Sequence, residues 1–197
     1  PTLQLLMDKF KQLGIEHKMG NRPEAVEMLP EGVKLILQGG AEEVIVDWVL
    51  LGTGRRPHTT GLNLDAAGVN ADSKGFIKIN EYLQTAQPNI YAIGDVTNPR
   101  MTANHALADA AVAVANILQA DTRKHDRKAV PDMVYSALEL GRIGLNGAAE
   151  KNDPAIGVAT FDTNPRALGQ DDVDGFVRLV ADAQSGVLLS GEVAGTD

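Results

Sequence analysis

The run NIYAIGDV at 89–96 is the most informative chemistry in the chain, because a compact apolar stretch there ends in Gly94-Asp95. Such a run reads as a buried strand, and a carboxylate at the carboxyl end of a strand stands where open α/β sheets bind ligands. Asp95 can accept hydrogen bonds from sugar or polyol hydroxyls there, or can cap the next turn. Five residues separate it from Met101, which with Thr102, Ala103 and Asn104 opens a long Ala-rich helix pattern reaching about residue 120. The first N–H groups of a helix have no internal partner and, with the helix dipole, favour an anionic or electron-rich group. Every helix has such an end; the short spacing to Asp95 is what lets one ligand touch both. A second run, VLLGTGRRPHT at 49–59, carries a strand into Gly52-Thr53-Gly54. Glycine lets a ligand or another backbone approach closely. Pro57 follows where a GxGxxG fingerprint would open its helix, so this is not that motif, and a tight turn between two sheets is the simpler reading from spacing alone.

Other chemistries are excluded or weak. The chain has no cysteine, which removes disulfides, thiolate metal sites and a redox thiol from these 197 residues. Its four histidines, His17, His58, His105 and His125, are scattered without metal-ligand spacing. His105 falls in the first turn of the long helix, where a packed or solvated histidine is the simpler reading. Asp171, Asp172 and Asp174 lack the calcium-loop pattern and read as a solvated turn. A net charge of −8 and an aromatic content of 4% argue against nucleic acid and against an anionic membrane surface as partners. No signal pattern or membrane-length apolar stretch is visible, so a soluble, cytoplasmic protein is the expectation.

The elements that must position these groups follow from periodicity. Leu3, Leu6, Phe10 and Leu13 predict a helix over 2–13 with one buried face, ended by Gly14. A short strand is expected near 15–19, two β-rich runs at 33–37 and 44–51 around Gly39-Gly40, and strands at 76–79 and 89–93. Trp48 and Phe161 read as core. The charged segment 121–131 reads as a solvated linker. Beyond it the pattern predicts a mainly antiparallel α+β unit over 131–197, with a hairpin turn at Gln184-Ser185-Gly186.

In order, these segments resemble the flavoprotein pyridine nucleotide-disulfide oxidoreductases. GTGRRP at 52–57 is similar to the family's ATG-type motif, with Gly52 in place of the usual Ala. GFIKINEYLQTAQPNIYAIGDV at 75–96 resembles its second FAD motif, MTANHA at 101–106 the helix start beneath the flavin, and VPDMVYSALELGRIGL with 166–195 its dimerisation domain. PNIYAIGDV, VPDMVYS and NPRAL followed by DVDGFVRLV bring the wording nearest to dihydrolipoamide dehydrogenase.

The resemblance implies an α/β fold: the end of a Rossmann-type NAD domain (1–52), the closing part of an FAD domain (53–122), a linker (123–129) and an incomplete α+β dimerisation domain (130–197). It implies FAD and NAD(P) as cofactors, a homodimer, and a small-molecule or lipoyl-type disulfide substrate. Gly54 matches the glycine near the nicotinamide cofactor. Gly94 belongs to the FAD motif, and Asp95 matches the aspartate that hydrogen-bonds the flavin's ribityl chain. Met101, Thr102, Ala103 and Asn104 match the helix start facing the pyrimidine side of the flavin, where reduced flavin gathers negative charge. The family's GxGxxG motifs, CxxxxC pair and His-Glu pair are not in these residues, so the sequence reads as an internal or truncated portion with no catalytic residue of its own and weak FAD binding alone. The competing expectations are a non-catalytic cofactor-binding or dimerisation module and a divergent flavoprotein without disulfide chemistry.

Overall fold

The computed structural model describes residues 2–38, 43–119, 122–144 and 154–196. The chain divides into two compact units, Phe10–Gly54 and a second composed of Pro1–Lys9 with Arg55–Asp197.

The helix expected at the start forms as α1 (Thr2–Gln12) and stops at Gly14, whose φ of 71° suits a helix terminus. Its apolar face is only partly covered: Leu6 and Phe10 are half-buried, and Leu3 and Leu13 are exposed.

The first unit holds an antiparallel meander of β1 (Pro23–Leu29), β2 (Gly32–Leu37) and β3 (Glu43–Val46). Lys34 on β2 lies 2.5 Å from Glu27 and 3.7 Å from Glu43. The hydrogen bond to Glu27 holds its ammonium above the ordinary lysine range. The expected strand at 15–19 does not form, and β1, which sequence periodicity did not mark, forms instead. Its Glu24 and Glu27 obscure any apolar face, and six of its seven residues are exposed. The β-rich run at 44–51 is paired only as far as Val46, so the expectation of a buried strand there is corrected. Trp48 is 90% exposed and Leu50 96% exposed, so Trp48 is not core. A fully apolar run is a parallel-strand pattern, and such a strand depends on neighbours remote in sequence. Among the described residues none pairs with 48–51.

In the second unit the apolar run 89–93 meets the same physics, and the alternating run 76–79 likewise forms no full strand. Instead of full strands they contribute single bridges, Ala71 to Ile77 and Gln84 to Tyr91. The intervening loops are held by side chains: Asp72 accepts from the N–H groups of Lys74 and Phe76, and Asn80 from those of Tyr82 and Gln84. Val69, Ile77 and Ala92 make one small core, and Leu83, Val112 and Ala113 another. Val112 and Ala113 come from α2 (Ala103–Leu118), the long helix expected from about residue 102.

Segment 122–130 is largely exposed, as its charge suggests, but it is also tied down by backbone hydrogen bonds. Asn116, buried on α2, donates from Nδ2 to the carbonyls of Tyr82 and Arg123 and accepts through Oδ1 from the N–H groups of Thr122 and Arg123. His125 N–H donates to the Glu81 carbonyl, and its ring is buried against α2. The charges of Arg123, Lys124 and Lys128 concealed a segment strapped down by its backbone.

The carboxyl-terminal part is the expected antiparallel α+β arrangement. Five strands, β4 (Asp132–Val134), β5 (Glu139–Gly144), β6 (Ala155–Thr160), β7 (Phe176–Ala181) and β8 (Leu188–Gly195), order as β4-β5-β8-β7-β6. A short helix, α3 (Pro165–Gln170), has Pro165 at its start and is capped by Asn164, which accepts from the N–H groups of Arg166 and Ala167. The hairpin turn forms at 182–187, where Asp182 accepts from the N–H groups of Gln184 and Ser185 and from the Ser185 hydroxyl. That hydroxyl contact, ahead of the backbone donors, holds the Asp182 carboxyl below its ordinary range. Phe176 and Val180 are buried on one face of β7, while Leu179 on β7 and Val193 on β8, which stands opposite Val177, are exposed on the other. Phe161, expected as core, is half-buried over Gly175 and Gly195, where any Cβ would come within 2.6 Å of its ring.

Candidate flavin-facing loop and helix start

The backbone turns sharply after Ile93. Gly94 takes a φ of 71°, a left-handed conformation open to glycine, and starts a single 3-10 turn, Gly94–Val96. A Cβ on Gly94 would meet the Ala106 Cβ at 3.4 Å, so the loop lies directly on the first turns of α2. One hydrogen bond ties it there and two close the turn. Gly94 N–H donates to Asp109 Oδ2 at 2.9 Å, and the Thr97 hydroxyl and N–H both donate to the Gly94 carbonyl at 2.9 Å.

This turn leaves Asp95 exposed, with Arg55 Nη1 at 3.8 Å from its Oδ2. Both side chains are well solvated, so the pairing contributes little energy and leaves the carboxylate free to accept other donors. The same guanidinium donates to the Met101 carbonyl at 3.2 Å. Arg55 therefore touches both ends of the loop.

Met101 is buried with φ of 48°, a conformation that costs a non-glycine residue about 1–2 kcal/mol. The strained turn aims the chain into α2. Thr102 is the N-cap residue, yet its hydroxyl pairs with His105 Nδ1 at 2.8 Å and does not cap a backbone N–H. The first helical bond runs from Ala106 N–H to the Thr102 carbonyl. Among the described residues nothing caps the N–H groups of Ala103, Asn104 and His105. An uncapped helix start beside a solvated carboxylate suits a ligand with hydroxyls at one end and an electron-rich group at the other.

Beneath the loop sits a buried polar cluster that sequence reasoning missed. Asp109 is fully buried; besides the Gly94 N–H it receives the Thr97 hydroxyl at 3.4 Å, and its Oδ1 lies 2.8 Å from His125 Nε2. That last contact is close without aligned N–H geometry. Burial is the main influence on His125 and pushes its pKa below the ordinary histidine range, and Arg127 and His105 push the same way against Asp109. The sequence did hold a signal. His105, Asp109 and Asn116 interrupt an otherwise apolar helix at spacings of four and seven, which places them on its buried stripe with Val112 and Ala113. A buried acid needs partners. The partner at 125 could not be read, because it arrives from the strapped segment.

Of the residues proposed from sequence, Gly94, Asp95, Met101, Thr102, Ala103 and Asn104 gather on this loop and helix start. Gly54 lies in the other compact unit, with φ of 106° and open space where a Cβ would stand.

The loop, the helix and the five-stranded sheet together have known counterparts. Residues 2–113 match the pyridine nucleotide-disulphide oxidoreductase model, and residues 130–197 match the dimerisation domain of the same group. The chain belongs to the pyridine nucleotide-disulphide oxidoreductase family. Members of this family use FAD and NAD(P). Among its curated relatives is the dihydrolipoyl dehydrogenase of Thermus scotoductus, 33% identical over 98% of this chain and 43% of that protein. The Bacillus subtilis dihydrolipoyl dehydrogenase is 31% identical over 97% of this chain and 42% of its own length. The oxidoreductase fold is also seen in LpdA from Mycobacterium tuberculosis, with a TM-score of 0.87 at 22% identity over 98% of this chain and 42% of that one. It is seen again in the HOCl-induced flavoprotein disulfide reductase RclA from Escherichia coli, with a TM-score of 0.84 at 22% identity, covering all of this chain and 46% of that one. The chain thus spans less than half the length of the relatives it matches. Among the described residues no helix is long and apolar enough to cross a membrane, and no group of His, Cys, Asp and Glu is placed to hold a metal ion.

Proposed function

We propose that this chain is part of an FAD- and NAD(P)-dependent dithiol–disulfide oxidoreductase of the dihydrolipoamide dehydrogenase kind. The observation that carries the reading is the meeting of a solvated Asp95 with an uncapped α2 start on one hydrogen-bonded loop. These residues fit a flavin: Asp95 would accept from the ribityl hydroxyls, and the N–H groups from Ala103 onward would face the pyrimidine edge. Bound FAD would relay hydride equivalents between the nicotinamide and a cysteine pair outside these residues. The chain's own contribution is electrostatic and positional. Asp109 holds Gly94, Gly94 sets the direction of Asp95, and the dipole of α2 favours negative charge opposite Met101, Thr102, Ala103 and Asn104. Gly54 is assigned to the nicotinamide side.

In this reading residues 1–52 close an NAD domain, 53–122 close an FAD domain, 123–129 join them to the dimerisation domain, and 130–197 begin that domain. The exposed apolar face of β7 and β8 supports pairing of two copies as a homodimer. A lipoyl-type or other small disulfide is the proposed substrate. The proposed compartment is the cytoplasm, where a reducing poise keeps the dithiol form available.

The test is to purify the full polypeptide encoded by its gene and record its visible spectrum and its NAD(P)H-linked reduction of lipoamide. A bound flavin band, dithiol-dependent turnover and loss of flavin in Asp95→Ala are expected. A native polypeptide that lacks flavin and a cysteine pair would instead establish a non-catalytic module.

A further inference from the structure

Against a chain of net charge −8, one cavity of about 290 Å³ gathers positive charge. Its walls carry Arg100, Arg127, Lys128 and Arg142, with Asp132 as the one carboxylate. Arg100 pairs with Asp132, and Arg142 approaches Glu192 at 3.7 Å, an acid it shares with Arg178 at 3.5 Å. Arg127 and Lys128 form no ion pair among the described residues. Arg127 donates from Nη2 to the Thr97 hydroxyl at 3.3 Å, while its buried Nε has no acceptor among the described residues.

A second observation comes from Asn98, which also lines the cavity and is 3% exposed. Its Oδ1 accepts from the Arg100 N–H at 3.0 Å, but its Nδ2 is buried without a partner among the described residues. A buried amide donor is costly to leave unmade. Unmet donors on Asn98 and Arg127, with excess cation around them, call for an acceptor-only group of negative charge.

We propose that this cavity binds a small oxyanion of the phosphate class, through Asn98 Nδ2, the Arg127 guanidinium and the Lys128 ammonium. The volume exceeds that of several water molecules at about 30 Å³ each, so a phosphate monoester fits as well as inorganic phosphate. Planar guanidinium donors favour such oxyanions, and surrounding positive charge draws them in. Asp95 does not line this cavity, and the proposal does not depend on the flavin reading.

The test is phosphate binding to the full gene-encoded polypeptide, followed by ³¹P line broadening and by thermal melting at ionic strength matched with chloride. Inorganic phosphate is expected to broaden and to raise Tm, and Lys128→Ala and Arg127→Ala are each expected to weaken it about tenfold or more. Lys78→Ala, an exposed residue that does not line the cavity, is expected to leave it unchanged. Because Lys128 is exposed and makes no side-chain bond among the described residues, its variant decides the matter even if Arg127→Ala does not fold. AMP binding more tightly than phosphate would assign a phosphomonoester, and the reverse order the free ion. No phosphate effect beyond chloride, or an effect that Lys128→Ala leaves intact, would overturn the proposal.

Discussion

The carboxylate of Asp109 and the imidazole of His125 meet 2.8 Å apart inside the protein, one from the long helix and one from the strapped segment after it. The other oxygen of Asp109 holds the Gly94 N–H, so this pair connects the strap to the loop that carries Asp95 through a single side chain.

Removing the acid should be felt at both ends. Asp109→Ala strands the buried Gly94 N–H and His125, and is expected to cost about 1–3 kcal/mol in urea unfolding. Flavin retention should fall with it. Unchanged stability would show that Asp109 does not anchor the loop.

The same pair predicts a pH dependence. Burial lowers the folded pKa of His125 below 6.5, so the unfolded chain binds the proton more readily. Stability from this group is present above about pH 6.5 and is lost as pH falls from there through the folded value. His125→Gln should flatten that part of the stability profile, which urea midpoints at a series of pH values would show.

Gly94→Ala tests the loop's geometry. At φ of 71° an L-residue incurs about 1–2 kcal/mol, and its Cβ presses on Ala106. Lower Tm together with weaker flavin binding is expected. Asp95→Ala, on an exposed side chain, should weaken flavin binding with Tm of the flavin-free protein unchanged.

Asn116→Ala should release the strap. Five hydrogen bonds to one buried amide tie Tyr82, Thr122 and Arg123 to α2. Loss of about 1–3 kcal/mol and faster hydrogen exchange across 122–126 are the expected outcomes. Unchanged exchange there would remove Asn116 from this role.

Local sequence rules determined what depends on neighbours in the chain. The helical spacing at 2–13 and from about 102 onward and the hairpin at 184–186 are short-range patterns, and each formed where expected. The resemblance at 75–106 pointed to Gly94, Asp95 and residues 101–104, which lie together on one loop and helix start. Tertiary structure decided whatever needed a remote partner. The apolar runs at 44–51 and 89–93 carry a parallel-strand composition, yet pairing is set by strands elsewhere, and here only β3 and a single bridge take it up. The basic segment 122–130 is largely exposed, as its charge implies, but its backbone capture by Asn116 could not be read because that partner comes from α2. Asp109 announced itself as an acid on an apolar stripe, but its partners Gly94 and His125 lie 15 residues before it and 16 after it. Only folding brings those three together, because a buried charge must draw its donors from whichever segments pack against it.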